Sequence, residues 1–417
     1  MFAKSTDPPV KTPADPVPTF ESLFNVCRIA IRFSGILGID SVLSKSSGKI
    51  RDLKIFYYFF GICPVAVVLI CEVRNMIHFW GSNISVALEI CTSALSGLVV
   101  ITQGFSIYYS RRDFLDFISS ISDLWRRQVN YNSNRDIVRR VKGTRSFTQI
   151  YAILVILLAS SYTLRPFCLL LVHVIFTRNE TYDLTQTAYP ALYPFAIDSM
   201  SKYITCISIE FLIFISVGAW WIAADMLFLQ SATHLSSQYQ ILNNDLMTIK
   251  TGVDAPTISD SSTIQQLNSL GKRHAHLLLL SEKLKRLFSP ILMCLMLVTS
   301  ANICICIINL QEELIRQNIA GVNKCVIHTL ITMIQPAIYC IYANDLVESA
   351  EWTAMAAYES DWVNESQNFK KSVRLITMRA QEGLKFRFWG FFNVDVHQLT
   401  QIGTLAVRFF ALVNNLA

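Results

Sequence analysis

The chain has 417 residues, of which 52% are hydrophobic and only 16% are charged, and its formal net charge is +6. A soluble protein usually carries about 25% charged residues, so this composition excludes an ordinary soluble globular protein. The positive charge does not indicate a nucleic-acid partner, because the basic residues flank apolar runs and form no single patch.

Apolar runs of about 20 residues are long enough to cross the hydrocarbon core of a bilayer. The runs in this chain do not alternate apolar with polar residues, so they predict an all-α integral membrane protein and not a β-barrel. The seven predicted transmembrane helices, in chain order, are Ile55–Cys71, Ile84–Tyr109, Phe147–Phe176, Tyr203–Leu229, Leu287–Leu310, Cys325–Ala343 and Val396–Val413. The earlier segment Phe20–Ile39 is amphipathic and is expected to be interfacial or re-entrant.

The distribution of Lys and Arg predicts the orientation of the chain. These residues concentrate before the first span and in the loops after spans two, four and six, whereas the alternate loops are nearly bare. Basic loops stay on the cytoplasmic side, so the N-terminus is predicted to be cytoplasmic and the C-terminus extracellular. The sequon at Asn179 then falls in an outer loop and is a candidate glycosylation site.

Some helices are predicted to extend well beyond the membrane. Residues 263–310 hold one glycine, Gly271, and no proline before Pro290. A helix of this length would reach roughly 70 Å, more than twice the thickness of the hydrocarbon core. We therefore expect long helices that pack into a cytoplasmic anchor domain.

Charged residues inside the spans are candidates for function, because each costs at least about 2.5 kcal/mol at mid-membrane. Arg165 and Glu210 lie at similar depths in spans three and four. We expect them to form an ion pair or to share an outer cavity, with Glu89 as a rival partner. A purely structural ion pair is an equally simple interpretation. Pro166 is expected to break span three locally.

The outer halves of spans two, three, four and six could form an apolar pocket with a few hydroxyl groups for orientation. The same residues would also serve as ordinary helix contacts. The candidate pocket residues are Ser93, Ser161, Tyr162, Leu164, Phe167, Ile209, Leu212, Thr329, Thr332 and Met333.

The last span ends in aliphatic residues followed by amides. If several copies lined a pore, Val413 would gate by dewetting and Asn414 would hydrate the ion. The alternative is a lipid-facing helix end. The chain has no GxSxG, Walker A, HExxH or GxGxxG motif, so we expect neither an enzyme nor a cofactor or metal site.

The C-terminal third resembles the insect odorant receptors. The strings that carry this resemblance are Tyr339-Cys340, Asn344-Asp345-Leu346, Glu348-Ser349, Ala356-Ala357-Tyr358-Glu359-Ser360-Asp361-Trp362, Met378-Arg379-Ala380-Gln381 and Gly390-Phe391-Phe392-Asn393-Val394. The resemblance implies a tetrameric cation channel in the plasma membrane of a sensory neuron, with a small volatile ligand bound within each subunit. It also implies a hetero-tetramer with an odorant co-receptor, in which this chain is the tuning subunit.

On this resemblance, the chain divides into regions with different expected roles. The regions are a cytoplasmic N-terminus (1–54), spans one to four with the outer ligand pocket (55–232), a cytoplasmic anchor segment (233–286) with a flexible linker (251–262), spans five and six (287–343), a cytoplasmic loop with the inner half of helix seven (344–395) and its pore-lining outer half (396–417).

One residue departs from the family pattern. Arg408 stands where the pore helix commonly has Tyr, and a cation facing the pore would repel permeant cations. Either Arg408 points to a neighbouring helix or a lipid headgroup, or this subunit contributes a non-equivalent wall to a mixed channel.

Three other classes of membrane protein are alternatives to this family. A gustatory receptor would end in a Thr-Tyr pair and a Gln-Phe pair, which Val407-Arg408 and Asn414-Asn415 do not match. A G-protein-coupled receptor would need the reversed topology. A secondary transporter would use Arg165 and Glu210 as substrate or proton groups.

Overall fold

A computed structural model describes residues 51–128, 135–176, 182–249, 260–363, 365–388 and 392–393, together with residues 20, 24, 28–29, 31, 397–398, 400–404, 408 and 411. The described elements, in chain order, are α1 (Arg51–Phe79), α2 (Ile84–Tyr109), α3 (Arg111–Gln128), α4 (Arg135–Phe176), α5 (Met200–Met247), α6 (Asp260–Ile315), α7 (Ile319–Tyr358), α8 (Gln367–Gln381), β1 (Arg387–Phe388) and β2 (Phe392–Asn393). The two short strands pair antiparallel. The all-α class predicted from the sequence is therefore confirmed.

Six of these helices, α1, α2, α4, α5, α6 and α7, are long and apolar enough to span a membrane by length and composition. They correspond in order to the first six predicted spans. Half of the predicted seventh span, Val396–Val413, lies outside the described residues. Within it, His397, Gln398 and residues 400–404 are helical.

The helices α5, α6 and α7 all extend beyond the thickness of a bilayer, and α6 confirms the long helix expected over residues 263–310. They contain 48, 56 and 40 residues, which correspond to about 60–85 Å of helix. In the C-terminal half of α5 almost every side chain is buried, polar ones included. This half packs against the neighbouring helices α6 and α7. Ion pairs add links there, with Arg273 of α6 lying 2.7 Å from Asp245 of α5.

The helix α4 continues through Pro166 from Arg135 to Phe176, so the predicted break in span three is wrong. A proline inside a helix removes one backbone hydrogen bond. The carbonyl that loses its helical partner is the one four residues earlier, at position 162. A transmembrane helix tolerates this loss when neighbouring helices and local adjustments of the backbone satisfy the freed group.

A tryptophan on α5 sets the spacing of α1, α2 and α5. The Trp220 side chain is 1% exposed and lies between Gly61 of α1 and Gly104 of α2. A Cβ atom added at Gly61 would come within 2.9 Å of the indole ring, and one at Gly104 within 3.2 Å. Because the two glycines have no side chain, the large indole ring fits where α1, α2 and α5 meet. The next turns of the same three helices surround a cavity.

Candidate functional site

A cavity of about 120 Å³ lies between α1, α2, α5 and the segment that connects α4 to α5. Its walls are mostly apolar, with a carboxylate, two serine hydroxyls and a tyrosine among them. The lining residues are Val65, Val68, Leu69, Glu72, Ser93, Ser96, Gly97, Val100, Tyr189, Ile213, Phe214, Val217 and Trp221. Cavities with convergent polar groups on apolar walls are typical of small-molecule sites.

One end of the cavity carries its only described charged side chain, Glu72 of α1. This residue is 2% exposed, and its carboxylate accepts a 2.6 Å hydrogen bond from the Ser93 hydroxyl of α2. The Tyr189 ring covers this end and stacks on Phe214, with 4.8 Å between the ring centroids. Burial and then the carboxylates of Glu72 and Glu210 raise the pKa of Tyr189, so its phenol is neutral and two carboxylates lie near it.

The connecting segment, residues 182–199, is attached to α5 through Glu210. The buried Glu210 carboxylate accepts hydrogen bonds from the Tyr193 hydroxyl and from the Ala188 backbone N–H. Burial and then the Glu210 carboxylate raise the pKa of Tyr193, so this phenol keeps the proton that it donates. The segment therefore closes the Glu72 end of the cavity while held by a side chain of α5.

The same segment is also attached to α1. The Asn75 amide donates to the Pro190 carbonyl at 3.0 Å, and the Leu192 N–H donates to the Cys71 carbonyl at 3.1 Å. Backbone and side-chain bonds thus fasten the segment to both helices that flank Tyr189.

The other end of the cavity borders a hydrogen-bond cluster centred on Asp225 of α5. Trp221, on the cavity wall, donates its indole N–H to the Tyr151 hydroxyl at 3.2 Å. Tyr151 donates in turn to Asp225 at 2.6 Å. Tyr339 and Gln335 of α7 donate to the same carboxylate at 2.8 and 2.9 Å. Side chains of α4, α5 and α7 therefore meet at one buried carboxylate. Tyr151 connects this carboxylate to Trp221 on the cavity wall.

Of the ten predicted pocket residues, the structure places only Ser93 on the wall of this cavity. Several of the others have exposed side chains, namely Ser161, Leu164, Ile209 and Leu212. Phe167 packs edge-on against Phe211, and Met333 packs against the apolar core. Thr329 and Thr332 each donate to a carbonyl of their own helix, and the Tyr162 side chain is not among those described. Ligand contact at these nine residues stays a prediction.

The predicted ion pair between Arg165 and Glu210 does not form. Both Glu210 oxygens are engaged by the connecting segment, and the Arg165 side chain is exposed. The sequence predicted only an outer loop between spans three and four, and no pattern in residues 182–199 indicated that this segment supplies donors to Glu210.

For the predicted pore, Arg408 is helical and exposed, whereas Val413 and Asn414 lie outside the described residues. The candidate glycosylation site Asn179 also lies outside them. The sequence analysis missed Asp225 and Glu72. Asp225 stands inside predicted span four, so the rule that selected Arg165 and Glu210 selects it equally; Glu72 follows the predicted end of span one by one residue.

Comparison with known proteins agrees with the fold and assigns the family. Residues 83–407 match the family model described as 7tm odorant receptor. The chain belongs to this odorant receptor family. Its members are receptors, so the expectation of a non-enzymatic protein agrees with the family.

Individual odorant receptors align along much of the chain. Odorant receptor 13a of Drosophila melanogaster is 21% identical over 80% of this chain and 81% of its own length. Odorant receptor 67c of the same fly is 19% identical over 95% of this chain and 96% of its own length. Other matches are partial, such as odorant receptor 82a, of which 57% is covered at 25% identity.

A solved insect receptor has the same fold. The olfactory receptor OR5 from Machilis hrabei superposes with a TM-score of 0.73 at 14% identity, over 95% of this chain and 97% of that one. A structure of OR5 in complex with eugenol superposes with a TM-score of 0.70 over the same shares.

Proposed function

We propose that this odorant receptor binds a small volatile ligand in the cavity between α1, α2 and α5, and that binding opens a non-selective cation channel. The observation that carries the proposal is the cavity itself, which is lined by three apolar helices and the connecting segment. An engineered apolar cavity of about 150 Å³ holds benzene, so about 120 Å³ suits a molecule of a few heavy atoms. The OR5 receptor in complex with eugenol supports a small-molecule ligand for this fold.

The channel is proposed to lie in the plasma membrane of a sensory neuron, with the N-terminus cytoplasmic and the C-terminus extracellular. Its partner is an odorant co-receptor in a hetero-tetramer. Each subunit lines the pore with the outer part of helix seven, where Val413 gates and Asn414 hydrates the ion. Arg408 is exposed on the helical part of this segment, and we place it against lipid headgroups or a neighbouring subunit, away from permeant cations.

Whole-cell recording tests the channel function. The chain is expressed alone and with an insect odorant co-receptor, without added G-protein components, and exposed to a panel of volatiles of about four to eight heavy atoms. We expect rapid cation currents only on co-expression. Currents from the chain alone would contradict the heteromer. Silence at confirmed surface expression, beside a co-receptor that functions with another tuning subunit, would contradict the channel function.

Filling the cavity is expected to abolish the response. A Cβ atom at Gly97 meets only a Leu69 methyl group, at 3.6 Å, so the side chain of Gly97→Val would occupy the cavity without a backbone clash. We expect the half-maximal ligand concentration to rise at least tenfold while surface expression is unchanged. The control is Gly143→Val, a helical glycine of α4 whose added Cβ has no neighbour within 4 Å. An unaltered dose–response curve in Gly97→Val would place the ligand elsewhere.

A further inference from the structure

Glu72 gives the cavity a chemical character that an apolar pocket lacks. Among the described residues that line it, none is Lys, Arg or His. Within the described chain, Glu72 forms no ion pair with a basic side chain. Among the described residues, its one hydrogen-bond partner is the Ser93 hydroxyl. A carboxylate offers about four lone-pair positions, so most of its accepting capacity is free and borders the cavity.

A second carboxylate adds to the negative potential at this end. Both Glu72 and Glu210 act on the Tyr189 phenol, so Glu210 also lies near this end. Each Glu210 oxygen accepts a hydrogen bond from the connecting segment, and Glu210 is not among the residues that line the cavity. A buried carboxylate without a cation is costly in an apolar surrounding. A cationic ligand would reduce this cost, and a neutral one would not.

We propose that the cavity selects small protonated primary amines, with the ammonium group on the Glu72 carboxylate and the alkyl chain extending towards Trp221. The inference rests on the proposed function and names the ligand class of the same site. An ammonium group supplies three donors and a positive charge to the free lone pairs of Glu72. The chain of an amine such as n-butylamine then lies against Val68, Val100 and Val217, the apolar walls between the two ends.

The amine n-butylamine and the alcohol butan-1-ol form a matched pair of probes, because they have the same number of heavy atoms and differ in charge. Binding is measured as the thermal shift of purified receptor, since a ligand that binds the folded state raises its unfolding temperature. Gating is measured as current on co-expression. We expect butylamine to bind wild-type receptor at least tenfold more tightly than butan-1-ol. Glu72→Gln should remove this preference while the affinity for butan-1-ol stays within about twofold of the wild-type value.

Two further variants keep the test specific. In Glu72→Gln, the amide oxygen can still accept the hydrogen bond from Ser93. Ser93→Ala retains the carboxylate and is expected to retain the amine preference. Glu282 is an exposed residue of α6, and Glu282→Gln is expected to leave the binding of both ligands unchanged. Equal binding of the two probes to wild type, or an amine preference that persists in Glu72→Gln, would overturn the inference. A thermal shift by butylamine without any current would leave the amine site standing and refute the gating function.

Discussion

Replacing Asp225 with alanine is expected to remove most of the folded receptor from the cell surface. Asp225 is 1% exposed, and its carboxylate accepts hydrogen bonds from Tyr151, Gln335 and Tyr339. Each buried donor left without a partner costs about 1–3 kcal/mol, so Asp225→Ala should destabilise the fold by at least about 3 kcal/mol. The measurement is the unfolding temperature in detergent together with surface labelling.

The matched control for this change is Asp123→Ala, which removes an exposed carboxylate on α3 and is expected to leave both readouts at wild-type values. Asp225→Asn keeps one acceptor oxygen, so its unfolding temperature and surface labelling should lie between those of wild type and Asp225→Ala. Wild-type stability in Asp225→Ala would show that water or a rearranged tyrosine replaces the carboxylate. Because Trp221 links this cluster to the cavity wall, any Asp225 variant that still folds should also have altered ligand-evoked currents.

Replacing Glu210 with alanine is expected to release the connecting segment while leaving the helices intact. Hydrogen bonds to charged groups contribute about 1.5–3 kcal/mol each, and the Glu210 carboxylate makes two of them to Ala188 and Tyr193. Amide hydrogen exchange in residues 182–199 should therefore accelerate by roughly a hundred- to ten-thousandfold. The ligand dose–response curve should shift to higher concentration, because Tyr189 no longer closes the cavity.

Two variants bracket the Glu210 result. Tyr193→Phe removes one of the two bonds and should have an intermediate effect on exchange. Asp183→Ala serves as the control, because Asp183 bonds only within its own turn, to Thr185 and Gln186. If exchange in the segment is unchanged in Glu210→Ala, its two hydrogen bonds with α1 are sufficient to hold the segment. These bonds are donated by the Asn75 amide and by the Leu192 N–H.

Hydropathy is a local property, and it predicted the six described spans correctly. The long helix over residues 263–310 and the family strings near Asn344 and Trp362 also follow from residues adjacent in the chain. The break at Pro166 was wrong for a different reason. A rule for an isolated helix does not include the packing of α4 against α5.

The partners of the buried carboxylates followed from the tertiary structure alone. Asp225 and Gln335 are 110 positions apart, and Glu72 meets Ser93 across two helices. Glu210 was paired with Arg165 because both are charged and at similar depth, yet the connecting segment reaches Glu210 first. Hydrogen bonds act over about 3 Å, whereas a sequence locates a side chain only to a helix and an approximate depth. Local sequence is therefore enough to predict the six apolar spans and the family, whereas the packing of the helices fixes which side chains surround the cavity.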